Sequence, residues 1–397
     1  MSAVEEWAAA VTVEQLDEDP YPVYARMRRE APVCFVPAVG LWFVTSWADA
    51  DFAASHPELI DSSVTPSPLD RAMGGPSILV LDGDPQKRLR AMLDPSLRPR
   101  FVEESTPEIV TPIVESLLDG IVERGAADLM SDYFEPVSVL SLGSVLGLGE
   151  MDGDTLRRWF YGLAQGAVNF EDDPERWAVS DAIGAEVDRS LEPVLKRLWE
   201  TPDASTIAVM LQHADGSFED RVATILPTLK VMLLGGMQEP GHAAGTTVAG
   251  LLESGHAAAM AADPAGLVRD AIEEGLRWVS PIGTQTRRVR VETDLGGATL
   301  PVGANLGVLV SSVNRDEVVW GPTADIYDLF RPKRNHGAFG FGPHFCSGHH
   351  FSRVQMRIAV QRLFERLPHL RSDPERPPVF SGWEFRAPQH LHVRWDA

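Results

Sequence analysis

At 397 residues with 44% hydrophobic side chains, the chain can bury a large core, and length alone allows two or three ordinary domains. The 57 acidic residues against 35 basic ones give a formal charge of -22, which argues against an extended nucleic-acid surface because phosphate binding needs clustered cations. Cys34 and Cys346 are too few for a disulfide framework, and neither a basic apolar leader nor a membrane-length apolar run is found, so a cytoplasmic protein with no membrane partner is expected.

In chain order, Tyr21 to Glu30 reads as a short helix, and Val33 to Phe35 with Leu41 to Thr45 read as paired strands around Pro37 to Gly40. From Pro85 onward helical patterns dominate. Apolar residues recur at helical spacing in Thr106 to Glu123, Glu150 to Ala167, Asp181 to Glu200, Arg221 to Leu234, Ala243 to Glu253 and Leu267 to Trp278. Strand signals return at Arg287 to Val291 and Ala304 to Val310, around Gly296-Gly297 and Pro301-Val302-Gly303 turns. A long amphipathic helix, HHFSRVQMRIAVQRLFERL, follows Ser347, and the β-like stretch LHVRW comes near the end. No repeat or low-complexity linker divides the chain, so one mainly α domain over 1–397 with small β-sheets is expected.

Two stretches break the pattern. The segment GGMQEPGH places an amide, an acid and a proline between two apolar helical runs, where Pro240 removes a backbone donor and the glycines weaken the helix. The segment GAFGFGPHFCSGHHFSR sets Cys346 among glycines, phenylalanines and histidines. A buried cysteine is commonly a small hydrophobe, which suits Cys34 in its strand. Zinc could draw on His344, His349 and His350, but one cysteine and three histidines within seven residues match none of the usual paired-ligand spacings. A catalytic thiol could take His344 as its base. Neither alternative explains the glycines and phenylalanines.

The pattern Phe339-Gly340-x-Gly342-x-His344-x-Cys346-x-Gly348 resembles the haem-ligand loop of the cytochrome P450 family. The resemblance implies haem b held between a distal and a proximal helix, with Cys346 as the iron ligand whose electron donation favours O–O cleavage. Phe339 would shield the sulfur, Gly340 would let the backbone approach the porphyrin, and Gly348 would lead into a helix whose amides favour the thiolate. His344 falls where the family places a propionate partner. Upstream, Glu274-x-x-Arg277 resembles the family's ExxR pair, and Arg331 would complete a structural triad with it. In the segment beginning at Leu81, Arg90 matches a propionate-binding arginine, while Gln86 replaces the usual histidine. Arg288 is the other expected propionate partner, with Arg287 as the alternative.

The family's distal helix carries an acid followed by an alcohol. Here Gly235 and Gly236 precede Met237, Gln238 and Glu239, so an amide and an acid occupy those places. Glu239 is the expected proton donor, with Gln238 orienting a water. LLGGMQEPGH, EGLRWVSPI and the tail from Gly382 look like a narrower group, bacterial O-demethylases of guaiacol-like methoxyphenols. That likeness implies a pocket lined by Met73, Ala167, Val231, Leu234, Gly235, Ile282, Gln285, Thr286 and Phe385. Met73 and Ala167 stand where the guaiacol enzymes place phenylalanines, so the pocket should be roomier, and an alkyl ether is also admissible. Hydroxylation of a terpenoid or natural product, or a peroxide-driven variant, is the alternative. Lys333, Arg334, Arg353 and Arg357 form a candidate basic patch for a ferredoxin or an iron–sulfur flavoprotein reductase. The chain has no flavin or iron–sulfur motif, so electrons from NAD(P)H would need that separate reductase.

Overall fold

The computed structural model describes residues 3–169 and 172–396, and helices dominate it. The expected helices form, mostly longer than periodicity alone indicates, because capping residues rather than apolar spacing decide where they begin. Asp173 accepts from the amides of Glu175 and Arg176, so the helix expected from Asp181 starts at Pro174 and runs to Glu200. A Ser217/Asp220 capping box opens Phe218–Gly235. Pro99 starts the Pro99–Asp119 helix seven residues ahead of the expected Thr106, and Val102, Thr106, Val110, Val114 and Leu118 bury one face despite two internal prolines.

A five-stranded sheet runs in the order Val33–Val36, Leu41–Val44, Asn305–Leu309, Thr284–Val289 and Ile60–Asp61. Its parallel pairing of Trp42 with Leu306 brings the early hairpin beside the chain that follows the Pro264–Trp278 helix. A second sheet joins Ala126–Asp128 and Arg371–Ser372 to the late strand His392–Arg394, which lies between them.

Two large apolar clusters hold the helices together. In one, Trp159, Leu163, Leu191, Leu211 and Leu229 pack with Phe351 and Val354. In the other, Val248, Leu251, Leu276 and Tyr133 pack with Met356, Val360 and Leu363. The His349–Arg366 helix therefore belongs to both clusters. Burying such side chains stabilises by about 1.5–3 kcal/mol each.

GGMQEPGH is the joint between two helices. Phe218–Gly235 ends with the Gly236 amide bonded to Met232 O at 3.1 Å, and Glu239–Glu253 begins after a turn through Met237 and Gln238. Pro240 lies in the first turn of the second helix, where its missing N–H costs no intrahelical bond.

Candidate active site

The cysteine loop is shaped by close approaches that only glycine allows. Gly340 and Gly342 have φ of +80° and +61°. A Cβ at Gly340 would come within 2.3 Å of Gln285 Nε2, and one at Gly342 within 2.4 Å of Ala54 O. The Cys346 amide donates to Phe339 O at 2.9 Å, closing the loop, and Gly348 caps the His349–Arg366 helix. Burial pushes the Cys346 thiol up, while the Gly348 amide, Arg90, Arg353 and the His349 amide favour its anion.

The nearby histidines are otherwise engaged. His344 Nε2 lies 2.8 Å from Asp82 Oδ1 and 2.9 Å from Ser62 Oγ. His349 Nδ1 is 2.9 Å from Arg353 Nη1, and His350 Nε2 lies 3.2 Å from Glu103 without a hydrogen bond among the described residues. A zinc set around Cys346 would have to break the His344 and His349 contacts, whereas an iron porphyrin needs only the Cys346 thiolate as its metal ligand from this loop. The donor set therefore fits a haem.

The Gly83–Leu93 helix docks on the loop through the two positions singled out in its sequence. Gln86 Nε2 donates to Pro343 O at 3.0 Å, and Arg90 Nη1 donates to Phe345 O at 2.8 Å. Although burial raises its pKa, Asp82 is held below the usual range by the His344 hydrogen bond and the Ser62 amide.

Strand alternation separates residues that sequence grouped together. In Thr284–Val289, Gln285 shares its face with Arg287 and contacts the cysteine loop at Gly340. Thr286 and Arg288 point the other way; Arg288 Nη2 would lie 3.7 Å from a Cβ at Gly303. Of the two expected arginines, Arg287 thus takes the loop-facing position, and Thr286 leaves the Gln285 face. Arg287 is buried, which pushes its guanidinium down to about 10 against the opposing charges of Asp82 and Asp61.

Glu274, Arg277 and Arg331 meet in a buried network. Arg277 donates through Nε and Nη2 to the two Glu274 oxygens at 2.8 and 2.7 Å, and Arg331 Nε reaches Glu274 Oε1 at 3.0 Å. Arg277 also binds the carbonyls of Asn314, Ala324 and Ile326, tying the helix to the chain that leads into the cysteine loop.

On the other side, Met73, Ala167, Val231 and Leu234 are buried in one apolar cluster with Met237. A Cβ at Gly235 would meet no atom within 4 Å, so space is open beside it. Ile282 and Phe385 face each other across an isolated antiparallel bridge. Gln238 and Glu239 are buried, and none of their four side-chain polar atoms has a hydrogen-bond partner among the described residues. Burial pushes Glu239 up to about 7, against the pull of His242 and the amides of Glu239 and Gln238. His242 Nε2 lies 3.8 Å from Glu135 Oε1, and Glu135 Oε2 accepts from Arg157 Nη2 at 2.6 Å. Sequence reasoning missed these three residues, although His242 closes the GGMQEPGH string three positions after Glu239.

The expected basic patch is largely neutralised. Arg353 pairs with Glu273 at 2.6 Å, Arg357 with Glu103 at 2.9 Å and Lys333 with Asp270 at 2.8 Å, while Arg334 donates to Val319 O. Against the upward push of burial, His336 and Arg353 hold Glu273 down at about 2.

Residues 266–389 match the family model described as Cytochrome P450. The chain is 30% identical over 397 residues to the cytochrome P450 monooxygenase PikC of Streptomyces venezuelae, covering 95% of this chain and 91% of that one. It is 29% identical to a steroid C26-monooxygenase of Mycolicibacterium smegmatis over 89% of this chain and 87% of the relative. Its fold matches P450BioI, solved in complex with a hexadec-9Z-enoic acid ligated acyl carrier protein, with a TM-score of 0.86 at 22% identity over 96% of this chain and 100% of that one. With a relative this similar along nearly its whole length, the chain belongs to the cytochrome P450 family and is a cytochrome P450 monooxygenase.

Proposed function

We propose that the chain forms one haem-thiolate domain over 1–397 that oxidatively O-demethylates a small methoxy-aromatic compound of the guaiacol or syringol type. The observation that carries the proposal is the helix joint at Gln238 and Glu239, a buried amide and acid without partners beside an apolar wall of Met73, Ala167, Val231 and Leu234. An apolar wall with few polar groups suits an aromatic ring, with Ile282, Phe385 and Gln285 completing the lining. Thr286, also proposed for the lining, lies on the opposite strand face from Gln285.

Cys346 is the proposed iron ligand of haem b, with Phe339, Gly340, Gly348 and Gly235 against the macrocycle. Arg90, Arg287 and His344 would meet the propionates, Arg287 taking the role first given to Arg288. When bound, the haem supplies the activation of dioxygen and the insertion of one oxygen atom into a C–H bond. The protein's part is to position the ring and to manage protons. Glu239 holds a proton near neutrality because its carboxyl is buried, and Gln238 can orient a water beside it. His242 and Glu135 are the groups proposed to replace that proton, with Arg157, which stays charged and passes no proton, holding the Glu135 carboxylate in place. Hydroxylation of a methoxy carbon yields a hemiacetal, which releases formaldehyde and a phenol.

Electrons from NAD(P)H are proposed to enter from a separate ferredoxin or iron–sulfur flavoprotein reductase at the Lys333, Arg334, Arg353 and Arg357 surface. An acidic partner would have to compete with Asp270, Glu273 and Glu103 for those cations. Among the described residues no helix is long and apolar enough to cross a membrane.

Formaldehyde measured against consumed reductant, across a panel of methoxyphenols and alkyl ethers, tests the reaction. Stoichiometric formaldehyde is expected from at least one methoxyphenol. A hydroxylated product without formaldehyde would favour a second reading, hydroxylation of a larger natural product, which the names of the steroid and PikC relatives support.

A further inference from the structure

Outside the residues assigned to the candidate active site, the strand pair Ala126–Asp128 and His392–Arg394 brings together three potential metal ligands. Asp128 lies directly opposite His392 in the antiparallel register, and His390, two residues before the strand position of His392, stacks on it. One ligand atom from each of the three residues falls within 4.8 Å of the others. The two rings are parallel within 10°, with centroids 5.4 Å apart.

The carboxylate is held in place. Asp128 Oδ1 accepts the Leu391 amide at 2.8 Å and the Met130 amide at 3.1 Å, while Oδ2 faces His390 Nδ1 at 2.6 Å. Asp132 accepts the Asp128 amide at 3.3 Å and pairs with Arg124 at 3.7 Å, so it steadies the segment rather than joining the ligand set. The side chain of His390 is 67% exposed, which leaves an entry path from solvent.

We propose that Asp128, His390 and His392 form a binding site for a borderline divalent cation of the Zn2+ class. Two imidazoles and one carboxylate select zinc, cobalt, nickel or copper over magnesium and calcium, which prefer oxygen alone. Two ligands at about 2.0 Å from a tetrahedral ion stand about 3.2 Å apart, so Asp128 Oδ2 and His390 Nδ1 need to separate by only a fraction of an ångström. Three protein ligands leave a fourth position to water. The ion would cross-link the late strand to the segment that enters the Met130–Phe134 helix, where Met130 and Phe134 abut Gly245 and Gly241 of the Glu239–Glu253 helix.

The alternative is a plain ion pair between His390 and Asp128 with His392 stacked beside it. Calorimetric titration of the tag-free, chelator-treated holoenzyme with ZnCl2 separates the two. One saturable site per chain is expected, unaffected by equal magnesium or calcium, with affinity at least about tenfold lower in His392→Ala and in Asp128→Asn. His213→Ala, an exposed histidine elsewhere, should bind as wild type. Zinc binding that is equal in wild type and the His390→Ala/His392→Ala double variant would overturn the site, as would no saturable binding. Metal-free thermal unfolding of the double variant close to that of wild type would show that lost binding is not lost folding. An anomalous zinc peak between Asp128 and His392 in a soaked crystal is expected; a peak only elsewhere would also overturn the site.

Discussion

Glu239 and His242 stand one turn apart on the same helix, the first with no hydrogen-bond partner and the second 3.8 Å from Glu135 on a neighbouring helix. The charge of His242 draws the Glu239 pKa down, and burial drives it up more strongly. A buried acid is thereby coupled to a chain of charged groups that ends at partly exposed Arg157.

Stability should depend on pH through Glu239. Its folded pKa of about 7 exceeds the ordinary glutamate value of 4.5, so between these pH values the folded state keeps a proton that the unfolded state has lost. Stability then falls as pH rises through this window and levels off above about pH 7. Glu239→Gln removes the penalty. Urea unfolding at pH 8 should show the variant more stable by on the order of 3 kcal/mol, with a smaller gain at pH 6.

Proton delivery can be tested at the next two groups. Glu135→Gln and His242→Phe should lower product formed per reductant consumed by about tenfold or more, leaving substrate dissociation constants unchanged. Full coupling in both variants would remove the route. Glu239→Gln should uncouple at least as strongly.

Removal of the sulfur should abolish thiolate ligation. The reduced, carbon-monoxide-bound wild type is expected to show the red-shifted Soret band of a thiolate haem, and Cys346→Ala should lack it. An unchanged band in the variant would reject Cys346 as the ligand.

The two neighbouring arginines should behave differently. Arg287→Ala is expected to lower the haem-to-protein ratio after purification, because it deletes a buried cation on the loop-facing side of the strand. Arg288→Ala should retain haem close to wild type. The reverse order would restore Arg288 as the propionate partner.

Deleting Arg277 should be the most damaging change to the fold. Arg277→Ala leaves Glu274 buried with two hydrogen bonds lost, an expected cost of about 3–5 kcal/mol in urea unfolding. Arg331→Ala should cost less, since it donates one bond to Glu274 and its other bonds reach the Thr323 hydroxyl and the carbonyls of Trp320, Thr323 and Ile326 nearer the surface.

The amino-acid sequence alone was enough to locate the cysteine loop, the Glu274–Arg277 pair and the distal joint. Each is a local pattern whose geometry follows from a few adjacent residues: glycines that permit tight turns, one helical turn between acid and base, and a proline at a helix start. Most helices were legible for the same reason, and their starts were missed where a cap such as Asp173 extended them. Tertiary structure decided what distant residues do to one another. Strand pairing turned Arg287 toward the cysteine loop and Arg288 away. Asp82 captured His344 from 262 residues away, and Glu103, Glu273 and Asp270 neutralised cations that had read as a bare patch. The buried acid acquired its raised pKa only through packing, and Asp128 met His390 across the same span of 262 residues. Local patterns constrain the backbone through neighbours in the chain, but charge pairing and desolvation act through space, and packing sets those distances.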